Sequence, residues 1–208
     1  EIVQLESDLS NIILHVENRL AIHGAIRCLA TVVSTVSSNT EAIRSIFDGF
    51  AICLCRFVTK FGWKPSEDLL CVMNSNLHEP KPVATLFRAL YSLGLIYRYF
   101  DVDALSSNFR GETISSMYRF VLENPALDGK VKPSTMNGFS SMWIRSPRLL
   151  LDSSPLIHLC LTDNSNILLV QETLKGIYDL ISEEKLRFSE MMATLERGPV
   201  PKQEDEDQ

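Results

Sequence analysis

Two carboxylates two positions apart, Asp101 and Asp103, are the residues whose types most readily suggest catalysis. Such a pair can exchange protons with a substrate or hold a metal. No nucleophile or third ligand accompanies them in sequence, so a simpler role is expected: Asp101 capping a turn or pairing with Arg98. The histidines are His15, His23, His78 and His158. His15 and His23 flank an expected helix break, and His158 falls in the apolar run 155–161; a lone helical histidine is more often structural than a ligand. The cysteines Cys28, Cys53, Cys55, Cys71 and Cys160 are odd in number and contain no C-x-x-C. On a helix Cys53 and Cys55 stand about 200° apart and cannot share a metal. They are expected to be small buried side chains in a reducing compartment, the cytosol or nucleus.

The remaining chemistry is electrostatic. Lys60, Lys64, Arg88, Arg98 and Arg110 form a candidate set for DNA or partner contact, with Trp63 beside Lys64. Interleaved cations can follow a phosphate backbone, releasing a counterion for each phosphate neutralised; the alternative is an ordinary solvated helix face. Arg88 and Arg98 point about 80° apart on an ideal helix, so they share a broad face rather than a tight pocket. The chain has no phosphate-binding glycine loop, dinucleotide fingerprint, nucleophile elbow or H-E-x-x-H. No catalytic residue, cofactor, metal or small-molecule substrate is therefore expected. A helical enzyme using Asp101 and Asp103 is the competing possibility.

The elements that must position these residues are helical. Apolar side chains recur in steps of three and four at Ile43, Ile46, Phe47, Phe50, Leu54, Phe57, Val58 and Phe61. Thr40 is the expected N-cap of that helix and Gly62 its stop. A second stripe runs Val83, Leu86, Phe87, Leu90, Leu93, Tyr97 and Phe100, and a third Ile167, Val170, Leu174, Ile177, Tyr178 and Ile181. Strand-length alternation is hard to find, and the expected class is all-α. Helices pair as 2–16 with 19–36, 40–61 with 82–100 across a long connection at 62–81, 112–123 with 134–145, and 154–162 with 165–182. A last helix over 184–196 has no partner, and residues 198–208 form an acidic linker or tail. Pair starts near 2, 40, 112 and 154 fit a helix-pair repeat of about 40 residues, as in an α-solenoid of HEAT type. A closed bundle of eight or nine helices is the alternative, because it needs the same stripes.

The 208 residues are 45% apolar and 22% charged, a composition that excludes disorder and suits one domain, 1–197. Net charge is −6, but residues 1–148 carry 15 Lys/Arg against 14 Asp/Glu while 149–208 carry 5 against 12. A globally basic DNA-binding domain is thereby excluded; a local basic surface is not. Uninterrupted apolar runs are short, so no membrane span is expected, and no secretory leader is visible. Glu1, not Met, is the first residue, as in an excerpt of a longer chain.

Residues 83–103 contain Leu86, Arg88, Leu90, Gly94, Arg98, Phe100, Asp101 and Asp103 in the pattern L-R-x-L, then G, then R-x-F-D-x-D. This stretch resembles the Nipped-B-like cohesin loaders, the sister-chromatid cohesion loading family. His23, Cys28, Leu29, Val32 and Val33 resemble the family's H-x-x-x-x-C-L-x-x-V-V helix. Ile144, Pro147 and Leu149 match a later segment, where Ser140 and Ser141 replace Gly-Phe. Asp163, Val170, Leu174 and Leu180 resemble the next repeat, and Lys202–Asp205 the start of a family linker. The resemblance implies a nuclear, chromatin-bound, hook-shaped HEAT solenoid. It would help load cohesin onto DNA and stimulate its ATPase, contacting the ATPase heads, the kleisin and DNA. A loader adaptor subunit would bind elsewhere on the full-length protein. A HEAT-repeat adaptor of another pathway is the alternative.

Overall fold

The computed structural model describes residues 1–37, 39–75 and 83–183; the expected final helix at 184–196 and the tail at 198–208 lie outside the described residues. Eleven α-helices and no strand occur among them. The first is α1 (Ile2–His15), which ends where the sequence predicts. Asn18 then caps α2 (Arg19–Val32), its side chain accepting from the Leu20 and Ala21 amides. A short π-helical segment, Val33–Ser37, follows, with Thr35 Oγ1 donating back to the Thr31 carbonyl.

Helix α3 (Glu41–Lys60) buries Ile43, Ile46, Phe47, Phe50, Leu54 and Val58, most of its predicted stripe, whereas Phe61 is exposed. Its N-terminus departs from expectation. Thr40 makes no side-chain cap, and Asn39 Oδ1 accepts from the Glu41 amide instead. Gly62 stops the helix at φ +102°, a conformation that glycine adopts without a Cβ penalty.

The 62–81 connection is not irregular throughout. It contains α4 (Glu67–Ser75), seated by buried Leu69 and by Arg56 donating to the Met73 carbonyl. Next come α5 (Val83–Tyr99), the short α6 (Val102–Leu105), α7 (Gly111–Glu123) and α8 (Val131–Arg145). The series closes with α9 (Arg148–Asp152), α10 (Ser154–Thr162) and α11 (Ile167–Ser182).

The long helices form two layers. In one, α1, α3, α7 and α10 follow each other; in the other, α2, α5, α8 and α11 do. Rungs join α1 to α2, α3 to α5, α7 to α8 and α10 to α11. This ladder is compatible with an α-solenoid. The inner helices are nevertheless more enclosed than an open rod requires. Residues 89–96 of α5 are buried on every side, and α8 is buried around most of its circumference. Helix α5 packs against α8, α3 and α2 at once, and Arg19 on α2 reaches within 3.9 Å of Glu172 on α11.

Missing side chains let the inner layer close. A Cβ on Gly94 of α5 would fall on the Gly138 carbonyl of α8, and one on Gly138 would fall on the Leu90 carbonyl. The backbones of α5 and α8 therefore cross almost in contact. Tyr118, wholly buried on α7, donates to that Leu90 carbonyl at 2.5 Å. Between α8 and α11, Gly176 makes room for Ser140 in the same way. Ser140 thus sits where a larger side chain would meet α11.

Among the described residues, one stretch has the length and composition of a membrane span, Arg19–Val36, of mean hydropathy 1.2. Its buried Ile22, Ala25, Ile26 and Leu29 form the face that packs on α1 and α5.

Candidate functional site

The candidate cations fall into separate places. Lys60 and Lys64 are exposed on either side of the Gly62 turn at the end of α3. Trp63 between them is half-buried and donates from Nε1 to Ser116 on α7, 3.4 Å away, so it anchors the turn. Arg110 is exposed immediately before α7. Arg88 is partly buried and donates to the Leu14 carbonyl at the end of α1, supplying a partner that the helix end lacks.

Arg98 occupies the most elaborate environment of the five. Its Nη2 lies 2.7 Å from Glu183 Oε1, beyond the end of α11. Its guanidinium sits 5.2 Å from the centroid of the Tyr99 ring, and the Tyr99 hydroxyl is 2.7 Å from His23 Nε2 on α2. Arg98 therefore pairs with Glu183, not with Asp101. Asp101 precedes α6 without a side-chain cap bond, and Asp103 accepts from the Gly111 amide at 2.8 Å. Only the Asp103 carboxylate is used in turn geometry, and among the described residues no three His, Cys, Asp or Glu side chains gather to hold a metal.

Two further arginines, absent from the candidate set, join Arg98. Arg27 of α2 and Arg145 at the end of α8 line the same hollow, together with Tyr99 and Glu183. Both are exposed, and neither has a carboxylate partner among the described residues. The electrostatics register this clustering. Burial lowers the His23 pKa below its ordinary value, and the nearby positive charges of Arg98, Arg27 and Lys175 lower it further, against Asp179. Sequence spacing links Arg88 to Arg98 but cannot show that α2 and α8 bring Arg27 and Arg145 alongside. The available local signal was Arg145 in the last turn of a helix, where a cation complements the dipole.

The cysteines divide. Cys55 and Cys160 are buried as expected, and burial raises their thiols to about 11 and about 12. Cys28 and Cys71 are exposed, contrary to expectation, because each lies on the solvent side of its helix stripe. All five are free thiols.

Comparison with family models, with curated proteins and with solved structures finds no match for this chain.

Proposed function

We propose that the chain is a non-catalytic segment of a cohesin-loader-type HEAT solenoid. In this reading it belongs to a nuclear protein and helps hold the cohesin ATPase heads, the kleisin and DNA in one arrangement on chromatin. The adaptor subunit of the loader would bind elsewhere on the full-length protein. The observation that supports it best is the placement of the 83–103 motif. Its Leu86, Leu90, Gly94 and Phe100 are buried within the central helix of the ladder or just past its end. Its Arg98 lines a hollow bounded by α2, α5, α8 and α11. The motif thus combines what a rung needs for packing with a cation that lines a hollow and is ion-paired with Glu183. A scaffold of this kind acts by binding one state of its partner better than the others, favouring the engaged ATPase without doing chemistry itself.

Lys60, Lys64 and Arg110 are the members of the candidate set with exposed side chains, and we assign the DNA contact to them. Arg88 and Arg98 serve the fold and the groove. The test is the full-length loader carrying Lys60→Glu with Lys64→Glu. Loss of two phosphate contacts should lower the slope of log K against log salt by about 2, and DNA-dependent stimulation of the cohesin ATPase should fall. Unchanged DNA affinity, salt slope and stimulation in a folded variant would remove both lysines from the contact set. An adaptor of another pathway would show no cohesin stimulation before or after the change.

A further inference from the structure

Three hollows adjoin along the seam between α2 and α5, linked through Tyr91 and Arg98, which each line two of them. Together they make one groove. From Phe87 to Tyr99 it follows α5 for about 18 Å, room for five or so residues of extended chain. Its walls carry six cations, Arg19, Arg27, Arg88, Arg98, Arg145 and Lys175, against the carboxylates Glu17, Asp179 and Glu183. Helix dipoles explain part of this. Arg98 and Arg145 lie in the last turns of α5 and α8, where each helix end contributes about half a negative charge. Arg27 lies inside α2 and has no such role.

The geometry points to a docking site, at the Arg27–Arg98–Arg145 end of this groove, for an extended acidic segment of a partner polypeptide. Glu183 already seats a carboxylate on Arg98 at 2.7 Å, and two neighbouring guanidiniums remain for carboxylates supplied from outside. A nucleic acid fits less well. At this end the hollow is lined by side chains of α2, α5 and α8 and by Glu183, and Arg98 at its base is only 17% exposed, out of reach of the backbone of a rigid duplex. A single strand would need open aromatic faces for its bases. Arg98 already sits over Tyr99 and Arg19 over Tyr91, each guanidinium within 5.5 Å of the ring centroid. The site requires only the folded groove and none of the cohesin assignment, so the two can fail separately.

Fluorescence anisotropy on the full chain tests it, with a labelled peptide of alternating Glu and Ser as probe and its Gln counterpart as control. The acidic peptide should bind and the Gln peptide should not. Arg27→Glu with Arg145→Glu, both at exposed positions, should weaken binding at least about tenfold, while Lys60→Glu with Lys64→Glu should not. Glu183→Gln should tighten binding by releasing Arg98. The proposal is overturned if the arginine reversal leaves affinity unchanged, or if Glu183→Gln fails to tighten it. It is also overturned if a DNA oligonucleotide, duplex or single-stranded, shows the arginine dependence in place of the peptide. Peptide binding seen only after the acids of 204–207 are neutralised would assign the groove to the chain's own end and overturn it as well.

Discussion

His23 shows how one side chain joins the inner layer's packing to its charge. Its ring accepts or donates toward the Tyr99 hydroxyl at 2.7 Å while facing Arg98, Arg27 and Lys175. Folding therefore favours the neutral imidazole. A base whose folded pKa lies below its unfolded value contributes its full stability above about pH 6.5 and loses it as pH falls toward the folded value. The thermal midpoint should accordingly drop between about pH 7.5 and about pH 5.5, in the window below the free imidazole value. His23→Gln, which keeps a polar partner for Tyr99 but does not titrate, should show a smaller drop; an equal drop would place the pH dependence elsewhere. At this scale the sequence was least informative. It offered Arg98 with Asp101, two neighbours along the chain, whereas the ion pair forms with Glu183, 85 positions away. The hydrogen bond from the Gly111 amide to Asp103 was likewise hidden, because a loop's path is not written in helical periodicity.

Helices were far more legible than their contacts. The stripe of α3 follows from steps of three and four, and the stop at Gly62 from glycine's freedom at positive φ. In α11 the helix was legible but its face was not: Leu169, Thr173, Gly176, Ile177 and Leu180 are buried, and of the expected stripe Ile167, Leu174 and Tyr178 are exposed, because the small Thr173 and Gly176 let α8 pack closely on that other side. Helix α4 escaped because nine residues give too few turns for a stripe to stand out. The signal that could have found it is the start Ser66-Glu67-Asp68: Ser66 Oγ accepts from the Leu69 amide, and two acids occupy the first turn. The helix crossing gives the sharpest predictions. Gly94→Val should cost more than about 3 kcal/mol, because its side chain would overlap the Gly138 backbone, which cannot move aside as a rotamer can. Gly24→Ala in α2 meets nothing within 4 Å and should instead stabilise by about 0.5–1 kcal/mol. Urea unfolding of the two variants measures both. Similar effects at the two glycines would mean that α5 and α8 do not cross as described.

At the scale of the whole molecule, the ladder leaves apolar surface at its ends. Leu159 on α10 and Ile167, Leu168, Leu174 and Tyr178 on α11 are each more than half exposed, and so is Val3 on α1. Contiguous exposed apolar surface of this kind favours association. Sedimentation velocity on the isolated chain should therefore show association that grows with protein concentration and persists in high salt. Leu174→Glu with Tyr178→Glu should shift it toward monomer; a monomer at high concentration without these changes would contradict the prediction. The two-layer order was legible from the spacing of helix pairs. The enclosure of residues 89–96 was not, since it depends on how closely α2, α3 and α8 all pack around α5. The proposed role reaches one step further, to a partner. Affinity capture from nuclear extract with the full-length protein tests that step most directly. Cohesin's ATPase and kleisin subunits should be retained with the wild-type protein and be lost with Gly94→Val, which breaks the central crossing. Capture that yields no cohesin subunit with the folded wild-type protein would contradict the cohesin-loader assignment.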